Sequence, residues 1–178
     1  MALNIEIKAR IPSVESLLQP AAAIATEDPV DIRQDDTFFR CEGGRLKLRA
    51  FSEDDGELIF YRRSDQAGPK QSFYLRSPTT TPAVLRESLA LAYGVVGRVR
   101  KHRTLFMAGR TRIHLDRVEG LGDFLELEVV MSDRDGAAEI AAAEAEAVGL
   151  MGRLGIEAAQ LIDVAYVDLA AAGVKARP

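Results

Sequence analysis

Charged and apolar side chains alternate at every second position through segment after segment of this chain. Glu6, Lys8 and Arg10 alternate with Ile5, Ile7 and Ala9, and Arg45, Lys47 and Arg49 alternate with Leu46 and Leu48. Lys101 and Arg103, then Arg112, His114 and Asp116, then Glu126 and Glu128 keep the same spacing. Successive side chains of a β-strand point to opposite faces, so each of these segments carries one strongly charged face. The pattern predicts strands over 3–11, 36–41, 44–52, 56–63, 70–76, 95–103, 104–108, 110–118 and 123–131, separated by Gly, Asp and Ser-Glu-Asp-Asp-Gly turns. Helical spacing predicts helices over 13–24 with Ser13 as N-cap, over 82–93 with Pro82 in the first turn and Gly94 as the stop, and over the Ala- and Glu-rich 135–154. A short turn at 157–162 leads to Tyr166, Val167 and Leu169, and the tail over 171–178 is expected to fray.

Many antiparallel strands leave exposed edges unless the sheet closes on itself. The expected fold is therefore α+β, mainly β: a closed or nearly closed eight-stranded antiparallel β-barrel with flanking helices, in one domain over residues 1–178. Such a barrel has room inside for side chains or one small ligand. A charged face on a single strand is ordinarily solvated. Five strands that repeat it, with apolar faces available for helices outside, place the charges in the lumen. Basic groups outnumber acids there, which suggests a cavity for a polyanion with a metal ion.

Composition narrows the class. Hydrophobic residues are 47% and charged residues 28%, ordinary for a soluble globular protein. The formal net charge of −4 argues against a general nucleic-acid-binding surface. The charge is unevenly spread: residues 98–117 hold seven Lys and Arg against Asp116 alone, whereas 132–168 is strongly acidic. The one cysteine, Cys41, rules out an internal disulfide and fits a reducing compartment. No apolar run approaches the ~20 residues that span a bilayer, and the N-terminus lacks signal-peptide order. A cytoplasmic protein without a membrane partner is expected.

Several ordered motifs add a resemblance. Asn4-Ile5-Glu6-Ile7-Lys8-Ala9-Arg10 resembles the opening ExExK motif of the CYTH superfamily, the triphosphate tunnel metalloenzymes. Gln34-Asp35-Asp36-Thr37-Phe38-Phe39 is similar to that family's Gln-x-Asp-Thr-Tyr-Phe segment. Gly44-Arg45-Leu46-Lys47-Leu48-Arg49, Leu58-Ile59-Phe60-Tyr61-Arg62-Arg63, Gly68-Pro69-Lys70-Gln71-Ser72 and Val99-Arg100-Lys101-His102-Arg103 follow in the family's order. Thr111-Arg112-Ile113-His114-Leu115-Asp116 and Leu121-Gly122-Asp123-Phe124-Leu125-Glu126-Leu127-Glu128 complete the set, so the resemblance covers roughly residues 3 to 170. Two positions depart from it. Asn4 stands where the first Glu of ExExK would be, and Phe38 replaces a Tyr.

The resemblance implies a tunnel that binds a triphosphate. Arginine forks and lysine point charges suit phosphate oxygens. Lys8, Arg45, Lys47, Arg49, Arg63, Lys70, Lys101, Arg103 and Arg112 are the phosphate-binding candidates, with Arg10 a further cation on the same parity. Mg²⁺ or Mn²⁺ is the implied cofactor, with Glu6, Glu126, Glu128 and Asp116 as candidate ligands. The candidate catalytic set is Glu6, Lys8, Arg63, Lys101, Arg103 and Asp116. His114 either positions substrate or packs as a polar residue, and Asp36 holds a basic side chain in place. The family's class IV adenylate cyclases convert ATP to cyclic AMP and pyrophosphate, and this is the first expectation. A triphosphatase acting on tripolyphosphate, thiamine triphosphate or a nucleoside triphosphate is the alternative, and a non-catalytic organic-phosphate or polyphosphate binder is the third. ATP or another triphosphate is the expected partner. Oligomeric state stays open, with a homodimer possible.

Overall fold

The computed structural model describes residues 2–63, 68–132 and 134–175. In chain order the described residues form β1 (Ala2–Ile11), α1 (Glu15–Ile24), β2 (Val30–Phe39), β3 (Arg45–Ala50), β4 (Gly56–Arg63), β5 (Lys70–Thr79) and α2 (Pro82–Tyr93). They continue with β6 (Val95–Ala108), β7 (Thr111–Val118), β8 (Gly122–Met131), α3 (Ala137–Arg153), a 3₁₀ turn (Ala158–Gln160) and α4 (Tyr166–Lys175). The strands pair antiparallel in the order β1-β5-β4-β3-β2-β6-β7-β8, and β8 pairs back onto β1, so the sheet closes into a ring.

Closure makes strand parity decisive, because every side chain points either into the lumen or away from it. The apolar set points away. Ile5, Ile7 and Ala9 of β1, Ile113 and Leu115 of β7, and Leu125, Leu127 and Val129 of β8 form one buried cluster with Leu17 and Ala21 of α1 and Ala143, Ala147 and Leu150 of α3. The largest hydrophobic core therefore lies between the outside of the barrel and two helices. Small alanines on α3 let that helix sit close to the sheet. Its start is capped by the Glu139 carboxylate, which accepts the Gly136 N–H at 2.9 Å. α1 starts at Glu15 with Val14 at its N-cap, one residue later than the expected Ser13, whose Oγ still accepts the Ser16 N–H at 3.2 Å. α2 runs over the expected residues and stops at Gly94, whose φ of 77° suits a residue without a Cβ.

Three elements differ from the sequence-based expectation. β2 begins at Val30, six residues before the expected 36. Its early outward residues Asp31 and Asp35 face polar and charged neighbours on β6, so no apolar outer face marks it: Arg98 donates to both oxygens of Asp35, and Thr104 Oγ1 donates to Asp31 at 2.8 Å. The segments expected as 95–103 and 104–108 are one strand, β6, because its pairing with β2 and β7 runs unbroken through Arg103 and Thr104. The third is α4, a helix through Lys175 where a fraying tail was expected from 171; residues 176–178 lie outside the described set. Its start is buried rather than solvated. Ala165, Tyr166 and Val167 pack with Phe38, Val99, Val118 and Phe124 across one end of the barrel.

The β3–β4 hairpin is held tight by a glycine. A Cβ at Gly56 would stand 2.6 Å from the Arg49 carbonyl oxygen and 3.0 Å from Pro82 Cβ. Gly56→Ala is expected to force the strands apart at a cost of roughly 1–3 kcal/mol, read as a lower urea midpoint at unchanged slope. An unchanged midpoint would show that the hairpin has slack there.

Candidate functional site

The lumen is a single cavity of about 330 Å³. Among the described residues, seven Lys or Arg (Lys8, Lys47, Arg49, Arg76, Lys101, Arg103, Arg112) and five Asp or Glu (Glu6, Asp36, Glu57, Glu126, Glu128) line it. The excess is cationic, yet the deep cations stand beside carboxylates. That pairing follows from strand register. Asp36 of β2 lies opposite Arg49 of β3, Arg103 of β6 opposite Asp116 of β7, and Lys8 of β1 opposite Glu126 of β8.

Three carboxylates organise the cations. Asp36 receives Lys47 Nζ at 2.9 Å and a two-point contact from the Arg49 guanidinium at 2.7 Å each. Asp116 receives Lys101 Nζ at 2.9 Å and both Nε and Nη2 of Arg103 at 2.6 Å, and the Tyr166 hydroxyl donates to it at 3.1 Å. Glu126 receives Lys8 Nζ at 2.6 Å and Arg103 Nη2 at 2.5 Å. Burial alone would raise the pKa of each carboxyl. Arg49 and Lys47 reverse that for Asp36, Arg103 and Lys101 for Asp116, and Lys8, Lys101 and Arg103 for Glu126, so all three stay ionised far below the ordinary range. Removing one partner from a buried pair typically costs about 3–5 kcal/mol, because the other charge is left uncompensated.

The expected residues divide by position. Lys8, Lys47, Arg49, Lys101, Arg103 and Arg112 line the cavity, as do Glu6, Glu126, Glu128 and His114. Asp116 is fully buried and outside the lining, its oxygens taken by cations and by Tyr166. Lys70 lies in the barrel wall at 1% exposure, with Nζ 3.4 Å from the Asp163 carbonyl. Arg45 reaches Asp168 of α4 at 2.8 Å. Arg10 packs over the Phe124 ring and donates to the Leu121 carbonyl at 2.8 Å. Arg63 ends β4, and its side chain lies outside the described residues.

Sequence reasoning did not single out Tyr166 or the Glu57–Arg76 pair. Tyr166 sits under Lys8, whose Nζ is 4.0 Å from the ring centroid. Its hydroxyl pKa is pushed well above the ordinary value by burial and by Glu126 and Asp116, so it remains a donor. Arg76 contacts Glu57 at 2.6 Å in the same cavity. The inward parity of Glu57 on β4 was available as a signal; the position of Tyr166 depends on α4.

Glu126, Glu128 and His114 bring one ligand atom each within 4.8 Å of one another. Glu6 lies opposite Glu128 in the β1–β8 ladder, so it borders this group. His114 Nδ1 is 3.8 Å from both Glu126 and Glu128. Burial and the Arg103 charge hold the His114 pKa below its ordinary value, against the opposing pull of Glu128, Glu126 and Asp116, which favours the neutral imidazole. An anionic pair beside a neutral nitrogen is a donor set fit for a divalent cation.

A closed antiparallel barrel with a polar, cation-rich lumen and an apolar exterior packed against helices defines a tunnel fold. The CYTH domain pattern matches residues 2–166, and the chain belongs to that family. It is 25% identical over 174 residues to adenylate cyclase CyaB of Aeromonas hydrophila, covering 93% of this chain and 87% of that protein. The fold is similar to that of the PH1012 protein of Pyrococcus horikoshii, with a TM-score of 0.80 at 22% identity over 93% of this chain and 98% of that one. The fold also resembles that of HpAC1 from Hippeastrum, a proposed adenylyl cyclase described as having a dominant triphosphatase activity, with a TM-score of 0.61 at 15% identity over 97% and 96% of the two chains.

Lys47 gives the site a pH response. Burial and the neighbouring Arg49 push its pKa down to about 8, against the opposing pull of Asp36. An anion in the lumen favours the protonated amine, so binding above pH 8 must take up a proton and weakens as pH rises. Sulfate, which does not titrate in this range, should lose up to about tenfold in affinity for each unit above pH 8 by calorimetry. Lys47→Met should flatten that profile; a native profile already flat from pH 7 to 9 would contradict the assignment.

Proposed function

We propose that this chain is a metal-dependent enzyme acting on a nucleoside triphosphate, with cyclisation of ATP to cyclic AMP and pyrophosphate as its reaction. One observation carries the choice of a nucleotide over an inorganic chain: the cavity that holds the cations is also lined by Ile32, Phe51, Ile59, Tyr61, Tyr74 and Leu105. An inorganic triphosphate needs no apolar or aromatic wall, whereas a base and ribose do. The 25% identity to an adenylate cyclase supports the same reading.

In this account Arg49, Lys101, Arg103 and Lys8 hold the phosphates, and Asp36 and Asp116 hold those cations in place. The ribose 3′ oxygen forms a bond to the α-phosphorus as the bond to the bridging oxygen breaks. Pyrophosphate leaves and the hydroxyl proton is released. Fixed cations stabilise charge on the phosphate oxygens without reorganising at the moment of reaction. Glu126 and Glu128, bordered by Glu6, would hold the divalent cation, which supplies further neutralisation of that charge. A cytoplasmic setting agrees with this chemistry, and no helix among the described residues is long and apolar enough to cross a membrane.

A second reading, hydrolysis of a triphosphate by water, shares all these groups and is favoured by the depth at which the cations lie, enough to bind a phosphate chain alone. Chromatography of products from ATP and from tripolyphosphate, each with Mg²⁺ and with Mn²⁺, separates the two. Cyclic AMP with stoichiometric pyrophosphate is expected, and Arg103→Ala should lower kcat/KM by about 10²–10³. Orthophosphate release without cyclic AMP would replace cyclisation by hydrolysis. Tight ATP binding with no product under any condition would make the chain a binder.

A further inference from the structure

We propose that His114 is itself a ligand in the metal site, which makes this a mixed nitrogen–oxygen centre that prefers a first-row transition cation, Mn²⁺ among them, over Mg²⁺. The inference rests on the reading of Glu126 and Glu128 as a cation site and goes further by assigning the residue that sets its selectivity.

The geometry is specific. His114 lies on β7 directly opposite Glu126 of β8, with Leu105 of β6 opposite it on the other side. Its apolar neighbour offers no hydrogen bond, and its acidic neighbour stands at a distance too long for one. Nδ1 is 3.8 Å from Glu126 Oε2 and 3.8 Å from Glu128 Oε1, and it has no hydrogen-bond partner among the described residues. The side chain is only 4% exposed. A buried polar atom without a partner is destabilising, so the position is unfavourable until something occupies the space between nitrogen and carboxylates.

Metal–ligand bonds to nitrogen or oxygen are about 2.0–2.2 Å, so two ligands of one ion stand at most ~4.4 Å apart. Both nitrogen–oxygen separations already satisfy that limit. The existing partners of Glu126 are no obstacle, because each carboxylate oxygen carries two lone-pair sites and can meet a cation while keeping Lys8 or Arg103. A third acidic donor is not supplied by Asn4, which contributes a neutral amide whose oxygen also lacks a partner.

Selectivity follows from ligand chemistry. Mg²⁺ demands hard oxygen ligands and retains its waters, while imidazole nitrogen favours later first-row ions in the usual affinity order. A histidine in place of one more oxygen therefore tilts the site away from Mg²⁺. The same change leaves the cationic phosphate groups untouched.

The test reads the nitrogen directly. Mn²⁺ bound to the full chain carrying His102→Gln is examined by electron spin echo modulation for coupling to ¹⁴N; the chain has two histidines, and His102 lies on the outer surface beside Asp31. Imidazole coupling is expected. His114→Gln should abolish it and weaken Mn²⁺ by at least about tenfold, with a smaller effect on Mg²⁺. Mn²⁺ that binds without nitrogen coupling, yet is lost in Glu126→Gln, would overturn the histidine ligand and leave the acidic site standing. Mn²⁺ binding that is absent, or indifferent to Glu126→Gln, would overturn both. If His114→Gln does not fold, the coupling in the His102→Gln protein decides alone.

Discussion

Buried cations need carboxylates within hydrogen-bond reach, and the rest of this structure depends on that pairing. An isolated charge moved into a medium of low dielectric is penalised by several kcal/mol even after relaxation. Asp36 compensates Lys47 and Arg49, Asp116 compensates Lys101 and Arg103, and Glu126 compensates Lys8 and again Arg103. Because Arg103 bridges two of these carboxylates, the acids and cations of β1, β6, β7 and β8 form one connected network. The network fixes side chains that would otherwise search many rotamers, so a ligand meets donors already in position.

That constraint also explains why the hydrophobic core is displaced. A lumen filled with charge cannot bury the apolar surface that folding requires, so the barrel turns its apolar face outward and recruits α1 and α3 to cover it. α4 closes one end by a mixture of both kinds of contact. Tyr166 and Val167 bury apolar surface against Phe38 and Val99, while the Tyr166 hydroxyl joins the Asp116 network and Asp168 meets Arg45. The end of the barrel and the chemistry of its floor are therefore set by one helix.

Much of this was legible in the chain because parity is a strong signal once a sheet closes. The inward direction of Lys8, Lys47, Arg49, Lys101, Arg103 and Glu126 follows from alternation in the sequence, and the role of Asp36 as a clamp was suggested by the family resemblance of its segment. The missed parts share a physical cause: contacts between elements decided them. The first half of β2 has charge on its outward face because Arg98 pairs with Asp35, so it lacks the apolar alternation that marks a strand. α4 is a ten-residue helix with Gly173, a residue of low helix propensity, inside it, and burial of its first residues supplies what its own sequence does not. Asp116 shares parity with Arg112 and His114, but only the position of Tyr166 and Arg103 shows that its oxygens are taken up within the protein.

The most direct test of the central claim, that the paired lumen cations form a triphosphate site, is a crystal structure of the protein grown with tripolyphosphate. The account predicts the anion inside the barrel, with oxygens in contact with Arg49, Lys101 and Arg103. An anion held instead by Arg86, Arg98 and Arg100 on the outer face, with the lumen filled by water alone, would contradict it.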